Sequence, residues 1–275
     1  EQYAAQGGGG VRYMAIGSRG GLKQIKAGTV DFAASDAPLT LTELERDGLV
    51  QFPVVVSGVV PVVNLLGLMP GELKLNGPVL ADIYLGRISY WDDPRLIALN
   101  PHVALPHAPI QVVHRSDGAG TTLAFTTYLA SKSPDWKARI GSGLDVAWPK
   151  GAAGMGNAGV TALVSNTPGA IGYVTSAFAR ESHLTAAQLP SASGAFVAPD
   201  LRSFSRAVGS AEKTIVRCSV STGFPSASTH RLVVSRTPVF PLSQRSIETC
   251  STWGIGPSGP APWARGAQKS WPLTL

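Results

Sequence analysis

The sequence predicts an α/β fold, and three observations predict it. Ile110-Gln111-Val112-Val113 reads as a short strand, and Leu123, Phe125, Tyr128 and Leu129 space like a broad helical face just beyond it. Val11 to Ile16 alternates like a second strand and runs through Gly17-Ser18-Arg19-Gly20-Gly21 into a short helix, Leu22 to Ala27, that stops at Gly28. Hydrophobic residues make up 44% of the chain and charged residues only 15%, a balance suited to thick buried layers rather than to a solvated chain.

The remaining elements follow in order. Thr29 to Pro38 reads as a strand that leads to Asp36 at a tight corner of small residues, and Thr42 is placed to cap a helix over Glu43 to Arg46. Phe52 to Asn64 is a long β-branched run broken by Gly and Pro, as expected of a buried strand that crosses between lobes. Val79 to Leu85 is a helix, and Pro94 sits in the first turn of another that Trp91-Asp92-Asp93 introduces. Pro101 to Pro109 is a Pro/His-rich loop, and Ser133-Pro134-Asp135-Trp136 follows the central helix. Gly151 to Gly159 is glycine-rich and leads into a helix at Val160 to Val164. Ala170 to Val174 is a strand, and Ala177 to Arg180 with His183-Leu184 a last helical piece. From about Ser205 the pattern decays. Residues 206–275 hold 11 Ser, 7 Thr and 7 Pro with no clear period of 2 or 3.6, which predicts loop or disorder.

The 275 residues suffice for one large or two modest domains. The net charge of +6 raises the question of a polyanion partner, but it is unevenly placed. Residues 1–205 carry 15 basic and 15 acidic side chains; residues 206–275 carry 8 and 2. The body is neutral, so a nucleic-acid partner is not expected of it. The tail's arginines are too scattered for a compact patch, which weakens a basic-tail interaction protein. Both cysteines, Cys218 and Cys250, lie in the tail, where the expectation is that they do not pair. No run of 18 apolar residues occurs, and Glu1-Gln2-Tyr3 opens no signal peptide.

Function concentrates at His114-Arg115-Ser116-Asp117-Gly118-Ala119-Gly120-Thr121-Thr122, the turn between the strand at 110–113 and the helix that follows. The first N–H groups of a helix lack internal partners and carry partial positive charge, and small residues let an anion approach them. Arg115 adds a full charge and a planar set of donors suited to an oxyanion. The same residues also describe an ordinary glycine turn before a capped helix, and the segment by itself does not separate the two. Ser18 offers a hydroxyl at a second helix N-terminus of the same kind.

Enzyme readings are weaker. Ser18, His114 and Asp117 include the residue types of a hydrolytic triad, as a phosphate-ester hydrolase would need, but no G-x-S-x-G elbow is present. His102 and His107 sit among prolines, and no Cys/His ligand spacing occurs, so neither a metal nor another cofactor is expected. Gly17 to Gly21 lacks the G-K-[S/T] ending of a nucleotide loop.

Six stretches in order carry a family resemblance: YMAIGSRGG from Tyr13, TVDFAASDAP from Thr29, GVVPVVN from Gly58, DIYLGRISYW from Asp82, VHRSDGAGT from Val113 and AIGYV from Ala170. Over residues 11–205 the chain resembles the phosphate-specific substrate-binding proteins of bacterial phosphate ABC importers. The resemblance implies a two-lobed, periplasmic-binding-protein-like (class II) α/β fold: 1–62 part of lobe I, 63–205 lobe II, and 206–275 an irregular tail that returns to lobe I at 269–275. It implies a periplasmic monomer that buries inorganic phosphate between the lobes and hands it to membrane permease subunits, with no catalysis. Ser18, Asp36, Arg115, Ala119, Gly120 and Thr121 are the implied phosphate contacts, and Asp117 is implied to pair with Arg115 and hold it. Asp36 beside an anion makes sense as the acceptor for a proton that phosphate still carries.

The chain departs from the family pattern in four places. Ala119 stands where Ser is usual, so one hydroxyl donor is missing, and Arg19 stands where a small residue is usual. The family's Gly-Ala-Gly-Ala-Thr-Phe-Pro loop is absent, so lobe I is expected to be incomplete and to expose sheet edge. Residues 207–268 match nothing in the family.

Overall fold

Gly17–Ala27 forms the first helix, α1, of a computed structural model that describes residues 11–200, 202–204 and 206, and the backbone of 231–239; the side chains of 53, 54 and 56 lie outside it. The glycine-rich turn is thus itself helical, and α1 stops where Gly28 takes a left-handed φ of 72° and its N–H bonds back to Gln24 and Ile25 carbonyls. The strand expected over Val11 to Ile16 does not form. Those residues have no regular structure, and Val11, Tyr13, Met14 and Ile16 are exposed. An alternating pattern marks a face to bury, but a strand also needs a neighbour's ladder, and the described residues offer none.

Strand β1, Phe32–Ser35, leads to Asp36, and helix α2, Leu41–Asp47, follows. Its cap is Thr40, not Thr42: the Thr40 hydroxyl accepts from Glu43 N–H while the Glu43 carboxylate accepts from Thr40 N–H. Strand β2, Leu49–Val63, is longer than expected. Helices α3, Gly77–Tyr84, and α4, Pro94–Leu99, begin at the capping side chains of Asn76 and Asp93. Then come β3 (Gln111–Arg115), α5 (Gly120–Lys132), α6 (Pro134–Arg139, capped by Ser133), β4 (Ala152–Gly154), α7 (Gly156–Asn166), β5 (Ala170–Thr175) and α8 (Ser176–Glu181). His183 and Leu184 fall outside α8, His183 with a φ of 53°. Sequence reasoning also passed over β4 and the two-residue strands β6 (Thr185–Ala186), β7 (Leu189–Pro190) and β8 (Phe196–Val197), which are too short to show a period.

The largest correction concerns the tail. Arg231–Val239 forms a nine-residue strand, β9, where composition predicted loop or disorder. It lies parallel to both β1 and β2, with Phe32 opposite Leu232 and Leu49 opposite Arg231. The sheet runs β1-β9-β2-β5-β3-β4, with β6 also on β2. The first part of β2, Leu49 to Gly58, pairs with β9, and Val59 to Val63 pair with β5. The chain therefore passes from one half of the sheet to the other within β2. The register slips between Pro53 and Val55, a bulge beside a residue with no N–H to give the ladder. The return expected at 269–275, and Cys218 and Cys250, lie outside the described residues.

Among the described side chains the buried clusters of the two halves differ in size. In the β5-β3-β4 half one face buries Tyr84, Trp91, Phe125, Trp136 and Tyr173, and the other Val60, Val113, Val160, Val164 and Val174. In the half built on β1 and α1 the buried cluster is Ile25, Ala33 and Leu49. Among the described side chains, the β5-β3-β4 half thus buries the larger apolar clusters, at roughly 1.5–3 kcal/mol per fully buried large apolar side chain. The central turn is mounted on that half, at the end of β3.

Candidate functional site

Strand β3 ends at Arg115 and α5 begins at Gly120, so Ser116 to Ala119 make the turn. Ser116 N–H donates to Gly154 O at 3.0 Å and Ala119 N–H to Leu144 O at 2.8 Å, which ties the turn at both ends. Ala119 is the N-cap of α5 but has no side chain to cap it. The Ala119 N–H is committed to Leu144 O.

The first turn of α1 sits directly on this turn. Gly17 has a φ of 74°, and a Cβ there would lie 2.7 Å from Asp117 Oδ2, so both conformation and space require glycine. Arg19 N–H donates to Gly118 O at 3.0 Å. The Ser18 hydroxyl, 6% exposed, accepts from Gly120 N–H and from Asp36 N–H, each at 3.2 Å. Both its lone pairs are used, and what the hydroxyl has left is its proton. One oxygen thus joins α1, the corner after β1 and the start of α5.

The Asp36 corner is held from below. The Ser35 hydroxyl donates to Ala37 O and accepts from Ala37 N–H, while the Gln51 side chain on β2 accepts from Leu39 N–H and donates to Ala37 O. Asp36 is half-buried and lies so close to α5 that a Cβ on Gly120 would sit 2.0 Å from its Cβ and 2.4 Å from Oδ2. A carboxylate is thereby pressed onto the positive end of a helix.

Arg115, 6% exposed, is the buried charge of the site. Its Nε and Nη2 donate to the two oxygens of Asp117 at 2.7 and 2.5 Å, and its Nη1 donates to Thr121 Oγ1 at 2.8 Å and Asn157 Oδ1 at 3.4 Å. Burial alone would raise the Asp117 carboxyl, but Arg115 and the Gly156 N–H outweigh it and hold it below its ordinary range. Behind the pair, the Tyr173 hydroxyl accepts from Arg115 N–H and bonds Thr122 Oγ1. Burial pushes that phenol up to about 12, so it stays a neutral donor and acceptor.

The predicted residues thus fall into two touching groups, Ser18–Asp36–Gly120 and Arg115–Asp117–Thr121, with Ala119 between them as the N-cap of α5. Sequence reasoning missed Gly156, Asn157 and Tyr173, which hold Arg115 and Asp117 from the next helix and strand. Tyr173 lies in a stretch read only as a strand, and nothing local marks its hydroxyl. It also missed Asp145, whose Oδ2 receives Arg19 Nη1 at 3.0 Å. His114 serves none of this: its Nδ1 bonds Arg115 O, and its ring stacks on Trp148. Among the described residues no cluster of His, Cys, Asp and Glu could hold a metal ion, and no helix is long and apolar enough to cross a membrane.

Residues 1–227 match the family model described as a PBP superfamily domain. The match runs past residue 205, so the irregular-looking segment is not all foreign to the family. The phosphate-binding protein PstS of Xylella fastidiosa is 48% identical over 210 residues, 76% of this chain and 58% of its own length. The Haemophilus influenzae protein of the same name is 48% identical over 76% of this chain and 63% of its own length, and that of Methanocaldococcus jannaschii 39% identical over 74% and 56%. This chain therefore spans about six tenths of the length of these relatives. Among solved structures, a periplasmic phosphate-binding protein (PfluDING) bound with phosphate superposes with a TM-score of 0.53 at 23% identity, covering 73% of this chain and 62% of that one, a likeness of fold.

Proposed function

This chain belongs to the PBP superfamily, and on that premise we propose that it is a high-affinity receptor for inorganic phosphate serving an ABC importer. The observation that carries this reading is the Ser18 oxygen, which joins two helix N-termini to the Asp36 corner beside a buried, pre-oriented Arg115. Hydroxyl protons of Ser18 and Thr121, the first-turn N–H groups of α5 and the guanidinium are donors for a tetrahedral oxyanion. Asp36 is the acceptor for a proton on that anion, which selects phosphate over fully ionised sulfate. The PstS names of the relatives support the same substrate. The protein acts in this reading as a periplasmic monomer that docks on permease subunits, binds no nucleic acid and performs no catalysis.

A hydrolase is disfavoured by the same bonds. Asp117 is spent on Arg115 and Gly156, Ser18 receives two amide protons, and His114 bonds a backbone carbonyl, so no nucleophile–base pair exists among them. The test is calorimetric titration with phosphate, alone and against sulfate. A single site that prefers phosphate by about 10⁴-fold or more is expected, since sulfate brings no proton for Asp36 to accept. No heat with phosphate, or equal affinity for the two anions, overturns the proposal.

A further inference from the structure

The Arg19–Asp145 pair lies outside the seat just described, and it joins the two halves of the molecule. Arg19 is on the first turn of α1, and Asp145 is on the loop that leads to Trp148. The Arg19 side chain crosses directly over Gly118: a Cβ at 118 would meet Arg19 Cβ at 2.5 Å, Nε at 2.7 Å and Cδ at 2.8 Å. Its Nη1 then reaches Asp145 Oδ2 at 3.0 Å. Two backbone bonds flank this crossing, Arg19 N–H to Gly118 O and Ala119 N–H to Leu144 O. The turn that carries the start of α5 is therefore strapped between α1 and the 144–145 loop.

We propose that Arg19 and Asp145 form a latch across the mouth of the seat, so that an anion leaves only after the pair parts. Arg19 is then a positioning residue that sets the release rate. This rests on the phosphate-receptor reading for its ligand, but not for its geometry. The guanidinium is held on Asp145, which makes it a poor substitute for the hydroxyl missing at Ala119. Both side chains are about half exposed, at 58% and 43%, so the latch is weak and sensitive to salt.

The experiment uses the full chain, Arg19→Ala, Asp145→Ala, the double variant and the charge swap Arg19→Asp/Asp145→Arg. Stopped-flow release of phosphate is expected to speed up by about two- to fivefold in each single variant, no further in the double, and to return toward the original rate in the swap. The wild-type rate should rise with salt toward that of the single variants. Hydrogen exchange of the Arg19 and Ala119 amides, measured without phosphate, should rise in the single variants and be restored in the swap. Additive effects in the double variant, or unchanged exchange at both amides, overturn the latch. Absence of phosphate binding by the wild-type chain overturns the receptor reading instead, and the exchange measurement still decides the latch.

Discussion

Asp117→Asn removes one charge from the site with almost no change of shape. The carboxylate receives Arg115 Nε at 2.7 Å, Arg115 Nη2 at 2.5 Å and the Gly156 N–H at 3.0 Å. The amide keeps one acceptor oxygen and turns a donor against one of these donors, leaving Arg115 buried with its charge uncompensated. Breaking a buried pair by removing one partner costs about 3–5 kcal/mol. Asp117 retains 17% exposure, and Arg115 keeps Thr121 and Asn157, so the lower end applies, about 3 kcal/mol. For a chain of this size that is a melting shift of about 6–12 °C. The fluorescence of the buried Trp91 and Trp136 reports the half that holds the pair. Saturating phosphate should recover part of the loss, because the receptor reading returns an anion to the guanidinium. The pH dependence gives a second check. Asp117 titrates lower in the folded chain than in the unfolded one, so its contribution is complete above the unfolded value, about 3.9, and fades as pH falls through the lowered one. The stability curves of the two proteins should therefore converge below about pH 4. An unchanged melt at neutral pH, or a gap that persists undiminished to pH 2, would refute this account of the pair.

Three further outcomes follow from the geometry. Ala119→Ser gives α5 the capping side chain it lacks, so it should stabilise the fold by about 1 kcal/mol in denaturant titration and tighten phosphate by about tenfold through the added donor; a change in neither measurement removes the role given to this position. Asp36→Asn can turn an amide donor toward sulfate, so competition titrations should show the phosphate preference fall by about tenfold or more; an unchanged ratio takes selectivity away from Asp36. Ending the chain after residue 230 removes β9, the described ladder partner of β1, so amide exchange at Phe32 to Ser35 should accelerate and phosphate binding should fail while the Trp136 melt persists; protected β1 amides in the shortened chain would show that β9 is dispensable.

Where bonding is local, the sequence alone was mostly enough, although it put the cap of α2 at Thr42 rather than Thr40. Pro94 after Asp93, Gly28 after Ala27 and the strand–turn–helix unit around Arg115 are set by residues within a few positions of each other, and they formed as read. The pairing of Arg115 with Asp117, implied by the resemblance, is likewise a bond between residues two apart. What escaped depends on partners distant in the chain. Val11 to Ile16 has a strand's alternation but no ladder among the described residues, while Arg231–Val239 has an unpromising context and gains two neighbours, β1 and β2. Strand formation is decided by who lies alongside, which no window of sequence contains. The same holds for Ser18 on Gly120, 102 positions apart, and for Arg19 on Asp145, 126 apart: each side chain's chemistry was legible in its residue type, but its bond exists only because folding carries two ends of the sheet to one turn.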